Sequence, residues 1–550
     1  MPGHMARLRF FLQEPVLRPL ILGTLFVAAL CLRLYGLDKP PMDFTPIRQY
    51  HGALLARGFY EWLTTGAMRT LPPDGIIEPP ILEFAASLSY LITGGEHLWI
   101  PRLLSALFWM LGGVFLYLIA KRLVSPNAAI FSVFFYLFVP YSVLASRAFM
   151  PDPLMVMMLL AGILTILRYH ERPSTRRLVV AAMVSALAVF VKPGICLFQI
   201  LGAFAALTAY RQGLRKAVVG LSFPAFAVLA VLPTGLYYLY GTVLAEFLQG
   251  QAQTKVVPAY VLDPYYWKGW LHSIGEVAGR VAFVSALLGV LLCRCGQAKS
   301  LLTGLWGGYL VFGLVFTYHI QTHVYYSLQL VPVVALSLGA LWNVAASHLQ
   351  QADSRRHGRR AVILGLAVLA VAFGMNEHRQ NAFGIVQQAR GEAFPGEYVG
   401  HTLVADYEAR AETYREIGEI VHHSRHTILW APEAGYTLVY HGRIDGATWP
   451  SSELVQWWRR DERAQLFMQG MLSMDEWPRS PEGNFLRRDY FAALRSSEAP
   501  PEYFVVIKRF SGRSTVKWKE DEALSAITKD FRVVGRDDAY VVFDLTEKKE

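Results

Sequence analysis

The sequence predicts a polytopic α-helical membrane protein of about eleven transmembrane helices with a C-terminal extracytoplasmic α/β domain. Hydrophobic residues make up 54% of the 550 residues and charged residues only 17%, and the mean hydropathy is +0.31. Charged residues are sparse between residues 18 and 376 and become frequent after residue 376. This distribution is typical of a membrane module joined to a more polar domain.

Long apolar runs predict the individual membrane helices, because about 17 to 22 residues of helix cross roughly 30 Å of hydrocarbon. We place these helices at residues 17–36, 101–120, 127–144, 152–168, 177–191, 194–210, 217–240, 278–294, 300–317, 324–345 and 360–376. The first run lacks a following small-residue cleavage site, so we expect it to remain as a membrane anchor.

Lysine and arginine are concentrated in every second connecting segment, beginning with Arg7, Arg9 and Arg18 before the first helix. Such segments are cytoplasmic by the positive-inside rule. We therefore expect a multi-pass protein of the bacterial inner membrane, with a cytoplasmic N-terminus and a periplasmic or extracellular C-terminal domain.

The predicted organisation is a transmembrane module over residues 1–376, including a first outer loop at 37–100, and a soluble extracytoplasmic α/β domain over 377–550. Within the outer loop, residues 47–64 and 80–93 are expected to form helices in the membrane interface. The apolar side of the first helix carries Ile47, Leu54, Leu55, Phe59 and Trp62. Its polar side carries Arg48, Gln49, His51, Arg57 and Glu61.

Extended and helical patterns alternate in the C-terminal region, which favours an α/β domain. The predicted strands are Thr427 to Trp430, Tyr503 to Lys508, Phe531 to Val534 and Tyr540 to Phe543. The predicted helices are 405–423, 452–470 and 520–529. All four cysteines lie in or beside apolar runs, so we expect neither a disulfide framework nor a CxxC metal site.

A polar stretch follows the first membrane helix directly and contains Asp43, Arg48 and His51 within nine residues. Asp43 could be a turn residue before Thr45 and Pro46. The neighbouring polar residues favour a functional carboxylate instead.

Further charged residues lie at predicted outer ends of apolar helices. Arg147 and Asp152 flank a turn, and Asp152 followed by Pro153 could also begin the next helix as its N-cap. Lys192 lies in an outer hairpin against the positive-inside trend, which makes it a functional candidate. Its side chain could alternatively extend to the lipid headgroups.

The loop 318–326 contains His319, His323 and Tyr325. Interfacial tyrosines usually form an aromatic belt, and two histidines alone are weak support for a metal site. We therefore predict no cofactor and retain a divalent metal as a weakly supported alternative. Glu78 and Arg102 flank the second interfacial segment and could join the same outer pocket.

If these junctions converge, they form an outer pocket with one or two carboxylates and several cations. That combination suits displacement of phosphate from a sugar carbon, because a base must take the proton of the attacking hydroxyl and cations must stabilise the leaving phosphate. An outward location also implies a donor embedded in the membrane.

The order of these features resembles the GT-C glycosyltransferases of the protein O-mannosyltransferase and aminoarabinose transferase type (glycosyltransferase family 39). The resemblance covers about residues 17–345. It is carried by Asp43, the interfacial helices, Pro79-Pro80, Arg102-Leu103, the Arg147-to-Asp152 turn, Lys192-Pro193-Gly194 and His323-Val324-Tyr325-Tyr326.

The resemblance implies a polyprenyl-phosphate-linked sugar donor, an acceptor glycan, lipid or protein hydroxyl, and no nucleic-acid partner. It implies Asp43 as general base, Asp152 as a second acidic residue and Lys192 as a donor-phosphate contact. From their charge and position we add Arg48 and Arg147 as phosphate contacts. The predicted substrate pocket further includes Glu78, Arg102, His319, His323 and Tyr325.

Two positions depart from the family pattern. The chain has Asp43-Phe44 where the family usually has Asp-Glu, and Glu78-Pro79-Pro80 where it usually has Lys-Pro-Pro. One acidic partner is thereby missing and one charge is reversed. A transporter or flippase of lipid-linked glycans is the main alternative, although it predicts charges near the bilayer midplane. A catalytically inactive glycan sensor is a further alternative.

Overall fold

The fold was analysed in a computed structural model. The structure describes residues 17–72, 74–245, 247–248, 258–351, 407–450, 487–511, 514–515, 524, 527 and 529–548. These residues form two compact units. The helical unit contains the described residues within 17–37, 78–81 and 102–351, and the sheet unit contains those within 38–77, 82–101 and from 407 onward. The predicted boundary at residue 376 lies outside the described residues.

The α-helices in chain order are α1 (Leu17–Leu34), α2 (Pro46–Thr65), α3 (Ile81–Thr93), α4 (Trp99–Leu123), α5 (Pro126–Phe138), α6 (Pro140–Ala145), α7 (Asp152–Glu171), α8 (Thr175–Val191), α9 (Leu197–Gln212), α10 (Leu214–Val219), α11 (Ser222–Leu239), α12 (Pro264–Ala278), α13 (Arg280–Leu292), α14 (Gly296–Val315), α15 (Thr317–Thr322), α16 (Leu330–Gln351), α17 (Tyr407–Ile420), α18 (Tyr436–Gly442) and α19 (Arg487–Arg495). A π-helical turn (Tyr240–Leu244) extends α11, and 3₁₀ turns occur at Pro258–Leu262, Val324–Ser327 and Glu433–Gly435.

Among the described residues, six helices are long and apolar enough to cross a membrane, or seven if the bent pair α12 and α13 forms one span. The predicted number of about eleven is not confirmed. Two predicted spans are the shorter helices α8 and α9, of 17 and 16 residues. The predicted span at 360–376 lies outside the described residues.

The predicted helix at 127–144 is interrupted between α5 and α6. Val139 has an extended ψ of 126° there and directly precedes Pro140. The proline ring disfavours helical geometry at the preceding residue and removes one backbone donor, so a new helix begins at Pro140.

Helices α9 and α14 pack closely through glycines in the core of the helical unit. A Cβ atom at Gly304 would lie 2.3 Å from the carbonyl oxygen of Gly202, and one at Gly202 would lie 2.4 Å from that of Gly304. Only residues without a Cβ permit this backbone approach, which is a common device between membrane helices.

The sheet unit contains a five-stranded sheet in the order β2-β1-β3-β7-β6. Strand β1 runs parallel to β2 and β3, while β7 runs antiparallel to β3 and β6. A separate two-stranded ribbon pairs β4 with β5. The strands are β1 (Thr427–Trp430), β2 (Gly446–Thr448), β3 (Tyr503–Ile507), β4 (Arg509–Ser511), β5 (Ser514–Thr515), β6 (Phe531–Arg536) and β7 (Tyr540–Lys548).

The four predicted strands correspond to β1, β3, β6 and β7, and the predicted helix at 405–423 corresponds to α17. The short strands β2, β4 and β5 were not predicted. The predicted helix at 452–470 lies outside the described residues, as does most of the one at 520–529.

Helix α2 belongs to the sheet unit, and its predicted two-sided pattern is wrong in part. Gln49, His51 and Arg57 on the predicted polar side are buried, whereas Ile47 and Trp62 on the apolar side are 41% and 50% exposed. The buried polar side chains are hydrogen-bonded within the sheet unit, which compensates for the loss of water.

Candidate functional site

A buried ion pair lies where α7 begins and α8 ends in the helical unit. The Nζ atom of Lys192 lies 2.8 Å from both carboxylate oxygens of Asp152. The two side chains are only 1% and 2% exposed. Asp152 is the first residue of its helix rather than the N-cap, which is Pro151, so the predicted capping role is wrong. Its carboxylate is engaged by Lys192 instead.

The turn after Lys192 depends on glycine. Gly194 has a φ of +88°, and a Cβ atom there would lie 2.6 Å from the ring of Phe316. Glycine alone adopts this conformation readily and leaves room for the aromatic ring. The Lys192-Pro193-Gly194 sequence therefore fixes where the ammonium group lies.

Three further groups surround the ammonium of Lys192. A carboxylate oxygen of Glu78 lies 3.9 Å from Nζ. The ring centroids of Tyr325 and Tyr326 lie 4.8 Å and 4.7 Å from the same atom. The rings provide cation–π attraction, and the two carboxylates compensate the buried positive charge. The structure therefore brings together the predicted residues Asp152, Lys192, Glu78 and Tyr325.

Arg102 and Arg147 lie in the same unit and bind backbone carbonyls. Arg102 donates from Nε to the carbonyl of Arg147 at 3.2 Å and from Nη1 to that of Leu37 at 3.0 Å. Arg147 donates from Nη2 to the carbonyl of Gly36 at 2.9 Å. Both arginines thus hold the segment that follows α1 against the turn before α7.

The histidines of the 318–326 loop lie within an aromatic cluster. The ring centroids of His319 and His323 are 5.0 Å apart, and that of Tyr326 lies 4.9 Å from His319. His323 also places Nδ1 2.7 Å from the hydroxyl of Thr322. In the part of the chain that the structure describes, no three or more His, Cys, Asp or Glu side chains are grouped so as to hold a metal ion.

Asp43 lies in the sheet unit and is only 2% exposed. The Nε2 atom of Gln49 lies 3.4 Å from Oδ1 of Asp43 and donates to the carbonyls of Phe44 at 2.6 Å and Pro41 at 3.1 Å. Thr45 has a φ of +40°, which is unusual for a residue with a Cβ. Gln49 of α2 therefore contacts the Asp43 carboxylate and the backbone on both sides of it.

Arg48 lies half-buried in the first turn of α2 and acts electrostatically on Asp74. Burial raises the pKa of Asp74 above its ordinary value, while a hydrogen bond with Tyr436 and the charge of Arg48 act in the opposite direction. Within the sheet unit, Arg48 therefore has an acidic neighbour that the sequence analysis did not identify.

The sequence of residues 77–237 matches the family model described as dolichyl-phosphate-mannose-protein mannosyltransferase. The fold is similar to that of ArnT from Cupriavidus metallidurans bound to undecaprenyl phosphate, with a TM-score of 0.52 and 16% identity over 94% of this chain and 97% of that one. The apo form of that protein gives a TM-score of 0.54 with the same identity and coverage.

The archaeal oligosaccharyltransferase AglB from Archaeoglobus fulgidus, in complex with an inhibitory peptide and a dolichol-phosphate, has a TM-score of 0.50 and 12% identity over 88% of this chain and 69% of that one. No curated protein sequence matches significantly. The sequence match and the shared fold agree with the predicted resemblance. The chain has the fold of ArnT and AglB, and its residues 77–237 match the mannosyltransferase family model. It is a multi-pass membrane protein.

A buried cation that was not predicted from the sequence is Arg33 of α1. Arg33 is fully buried and donates to the hydroxyl of Ser146 at 2.6 Å, to the carbonyl of Ala29 at 2.9 Å and to that of Leu137 at 3.0 Å. The available signal was an arginine within an otherwise apolar helix, which is rarely exposed to lipid.

A group of side chains in the sheet unit was also not predicted, because it joins residues that are distant in sequence. Within the sheet unit, Arg57 of α2 donates to Glu96 at 2.9 Å and to the carbonyl of Tyr440 at 3.0 Å. The Tyr50 hydroxyl lies 2.7 Å from Nε2 of His441. Burial, followed by the charges of Arg415, Arg57 and Arg410, lowers the pKa of His441 from 6.5 to about 3.

Proposed function

We propose that this protein is a GT-C glycosyltransferase that transfers a sugar from a polyprenyl-phosphate donor to an acceptor on the outer face of the bacterial inner membrane. The acceptor supplies a hydroxyl group of a glycan, a lipid or a protein. The observation that carries the proposal is the buried ion pair of Lys192 and Asp152 at the ends of apolar helices, with Glu78 3.9 Å from the ammonium group. Ionised side chains are costly in such surroundings and commonly mark substrate sites.

The donor class is supported by what the similar proteins bind. ArnT from Cupriavidus metallidurans was solved with undecaprenyl phosphate, and AglB from Archaeoglobus fulgidus with a dolichol-phosphate. The matching family model is also described by a dolichyl-phosphate sugar. All three names share a long isoprenoid joined to phosphate, and we extend that donor class to this chain.

In the proposed reaction, the acceptor hydroxyl oxygen attacks the anomeric carbon of the sugar. The bond between that carbon and the phosphate oxygen breaks, and the polyprenyl phosphate leaves with the bonding electrons. The hydroxyl proton passes to Asp43, the proposed general base. A buried carboxylate beside the amide of Gln49 suits this role, because Gln49 can orient a carboxylate but cannot accept the proton at its NH₂ group.

The leaving phosphate gains negative charge, which cations stabilise. We assign this role to Lys192, Arg147 and Arg48, since ammonium and guanidinium groups bind phosphate oxygens strongly. A phosphate bound at Lys192 would share the ammonium with Asp152, the second proposed acidic residue. Glu78, Arg102, His319, His323 and Tyr325 remain our predicted substrate-pocket residues.

The proposed base is tested with purified protein in lipid nanodiscs and a radiolabelled polyprenyl-phosphate sugar. We expect Asp43→Asn to bind donor and unfold at the wild-type temperature, while its transfer rate falls at least about a hundredfold. Asp38→Asn is the matched control, because Asp38 is an exposed aspartate of the same segment and should retain activity. Normal turnover by Asp43→Asn would remove the base assignment.

The reaction itself is tested by mass spectrometry of envelope glycans, lipids and glycoproteins from cells with and without the active protein. We expect one glycosylated product to disappear with Asp43→Asn and to return with the wild-type chain. If the products are the same in both cells and no polyprenyl-phosphate sugar is consumed in nanodiscs, the proposed function is wrong.

A further inference from the structure

A cavity of about 590 Å³ lies entirely within the sheet unit. It is bounded by one side of α2, by residues 69–71 and 94–96, and by residues 423–445 around α18. None of the predicted catalytic, phosphate-binding or substrate-pocket residues lines it. Its volume is in the range of protein cavities that hold small ligands.

Four arginines from separate parts of the chain line this cavity: Arg57, Arg69, Arg425 and Arg443. Three carboxylates also line it, but two of them are occupied by local partners. Glu61 accepts hydrogen bonds from the backbone N–H groups of Arg69 at 3.0 Å and Thr70 at 2.8 Å. Glu96 accepts two hydrogen bonds from Nε of Arg57, at 3.0 Å and 2.9 Å.

The other arginines, Arg69, Arg425 and Arg443, form what we call the rim. Arg425 lies 3.6 Å from Asp445 with 53% of its side chain exposed, and Arg443 lies 3.9 Å from Glu96 with 69% exposed. The Arg69 side chain is exposed and forms no ion pair with any residue that the structure describes. Arg425 also donates a hydrogen bond to the backbone carbonyl of Arg69. Exposed, long ion pairs contribute little free energy, so the guanidinium group of Arg443 can turn toward a bound anion at low cost.

We propose that this cavity binds an acidic saccharide. The rim arginines bind its phosphate or carboxylate group, since guanidinium pairs with both anions through two parallel hydrogen bonds. Tyr60 offers an aromatic face for a sugar ring, and Asp445 offers a carboxylate acceptor for hydroxyl groups. The inference rests on the proposed function. In that reaction the acidic saccharide is part of the acceptor, and the cavity holds it away from the hydroxyl group that reacts.

The first test measures binding to the full-length protein in detergent micelles by isothermal titration calorimetry and saturation-transfer NMR. The probes are glucose 6-phosphate, glucuronate, glucose and inorganic phosphate. We expect at least one acidic sugar to bind about tenfold or more tightly than glucose and than inorganic phosphate. Preference for glucose 6-phosphate identifies a phosphate-bearing acceptor, and preference for glucuronate identifies a carboxylate-bearing one. Equal binding of glucose, or tighter binding of inorganic phosphate, overturns the proposal.

The second test removes the rim charges. The triple variant Arg69→Gln, Arg425→Gln and Arg443→Gln should weaken binding of the preferred acidic sugar about tenfold or more. Arg443→Gln alone is the variant with least risk to folding, because Arg443 is the most exposed of the ion-paired rim residues, and it should weaken binding about threefold. The control removes two exposed arginines of β6, Arg532→Gln and Arg536→Gln, and should leave binding unchanged. Unchanged affinity in the triple variant overturns the proposal.

The third test separates this proposal from the proposed function. Binding is measured without donor, so it does not depend on turnover. In a transfer assay the rim variant should raise the KM for the acidic acceptor with kcat retained, whereas Asp43→Asn should lower kcat with acidic-sugar binding retained. Intact binding without any transfer refutes only the reaction. If the rim variant transfers sugar with the wild-type KM, only the proposal about the cavity is refuted.

Discussion

Lys192 and Asp152 form a buried ion pair with 2.8 Å from Nζ to each carboxylate oxygen, although 40 residues separate them in sequence. Removing one partner should leave an uncompensated buried charge, which costs about 3–5 kcal/mol. We therefore expect Lys192→Met and Asp152→Asn each to lower the unfolding temperature strongly. The double variant should be less destabilised than the sum of the two single variants, as measured by thermal unfolding in micelles.

The exposed pair Lys39 and Glu408 is a suitable control for this comparison of single and double variants. Its charged atoms lie 3.6 Å apart, and its side chains are 36% and 48% exposed. Its removal by Lys39→Met and Glu408→Gln should cost no more than about 1 kcal/mol. Strictly additive effects of the Lys192 and Asp152 variants would show that the two residues are not energetically coupled.

Gly304→Ala should destabilise the helical unit. Its new Cβ atom would lie 2.3 Å from the carbonyl oxygen of Gly202, and backbone cannot move aside as a flexible side chain can. Overpacking of this kind costs about 1–3 kcal/mol. Gly307→Ala on the same helix is the matched control, because no atom lies within 4 Å of its added Cβ, and it should be neutral or stabilising by up to about 1 kcal/mol. Equal unfolding temperatures for the two variants would contradict the close approach of α9 and α14.

The buried histidine of the sheet unit should make stability depend on pH. The pKa of His441 is about 3 in the folded protein against 6.5 as its ordinary value, so between these pH values the unfolded chain binds a proton that the folded chain does not. The free energy of unfolding should therefore fall as the pH is lowered from about 6.5 toward 3. His441→Gln should flatten this dependence in unfolding experiments at several pH values.

Asp74, whose pKa is raised by burial, contributes with the opposite sign, since it favours the folded protein at low pH. Asp74 is present in both proteins, so its contribution cancels in the difference between wild type and His441→Gln. Tyr50→Phe serves as the control, because it removes the hydrogen bond to His441 without removing the titrating group. An identical pH profile for wild type and His441→Gln would exclude His441 as the source.

Arg33→Met should destabilise the protein by about 2–5 kcal/mol, because Arg33 is fully buried and its loss removes three hydrogen bonds, to the hydroxyl of Ser146 and the carbonyls of Ala29 and Leu137. Arg122→Met is the comparison, since Arg122 is exposed and donates to the carbonyl of Leu118 within its own helix. That change should stay within about 0.5 kcal/mol of wild type. A wild-type unfolding temperature for Arg33→Met would contradict a structural role for the guanidinium.

The sequence by itself determined the type of element along most of the described chain. Long apolar runs can satisfy their backbone only as helices in a membrane, so α4, α7 and α14 were predictable. Alternating and β-branched patterns likewise predicted β3 and β7. Charged residues at the ends of apolar helices identified Asp152 and Lys192 as unusual, because isolated charges there are costly.

Only the tertiary structure decided which of these groups meet and which faces are covered. Gln49 and His51 are two residues apart and therefore point to nearly opposite sides of α2. The sequence alone does not show that protein, not water, surrounds both of them and Arg57. The pairing of Lys192 with Asp152, the hydrogen bonds of Arg33 and the contacts of Arg57 with Glu96 each join residues distant in sequence. Such contacts depend on how helices and strands pack against one another. A local sequence pattern does not show which distant residue will lie next to a given side chain.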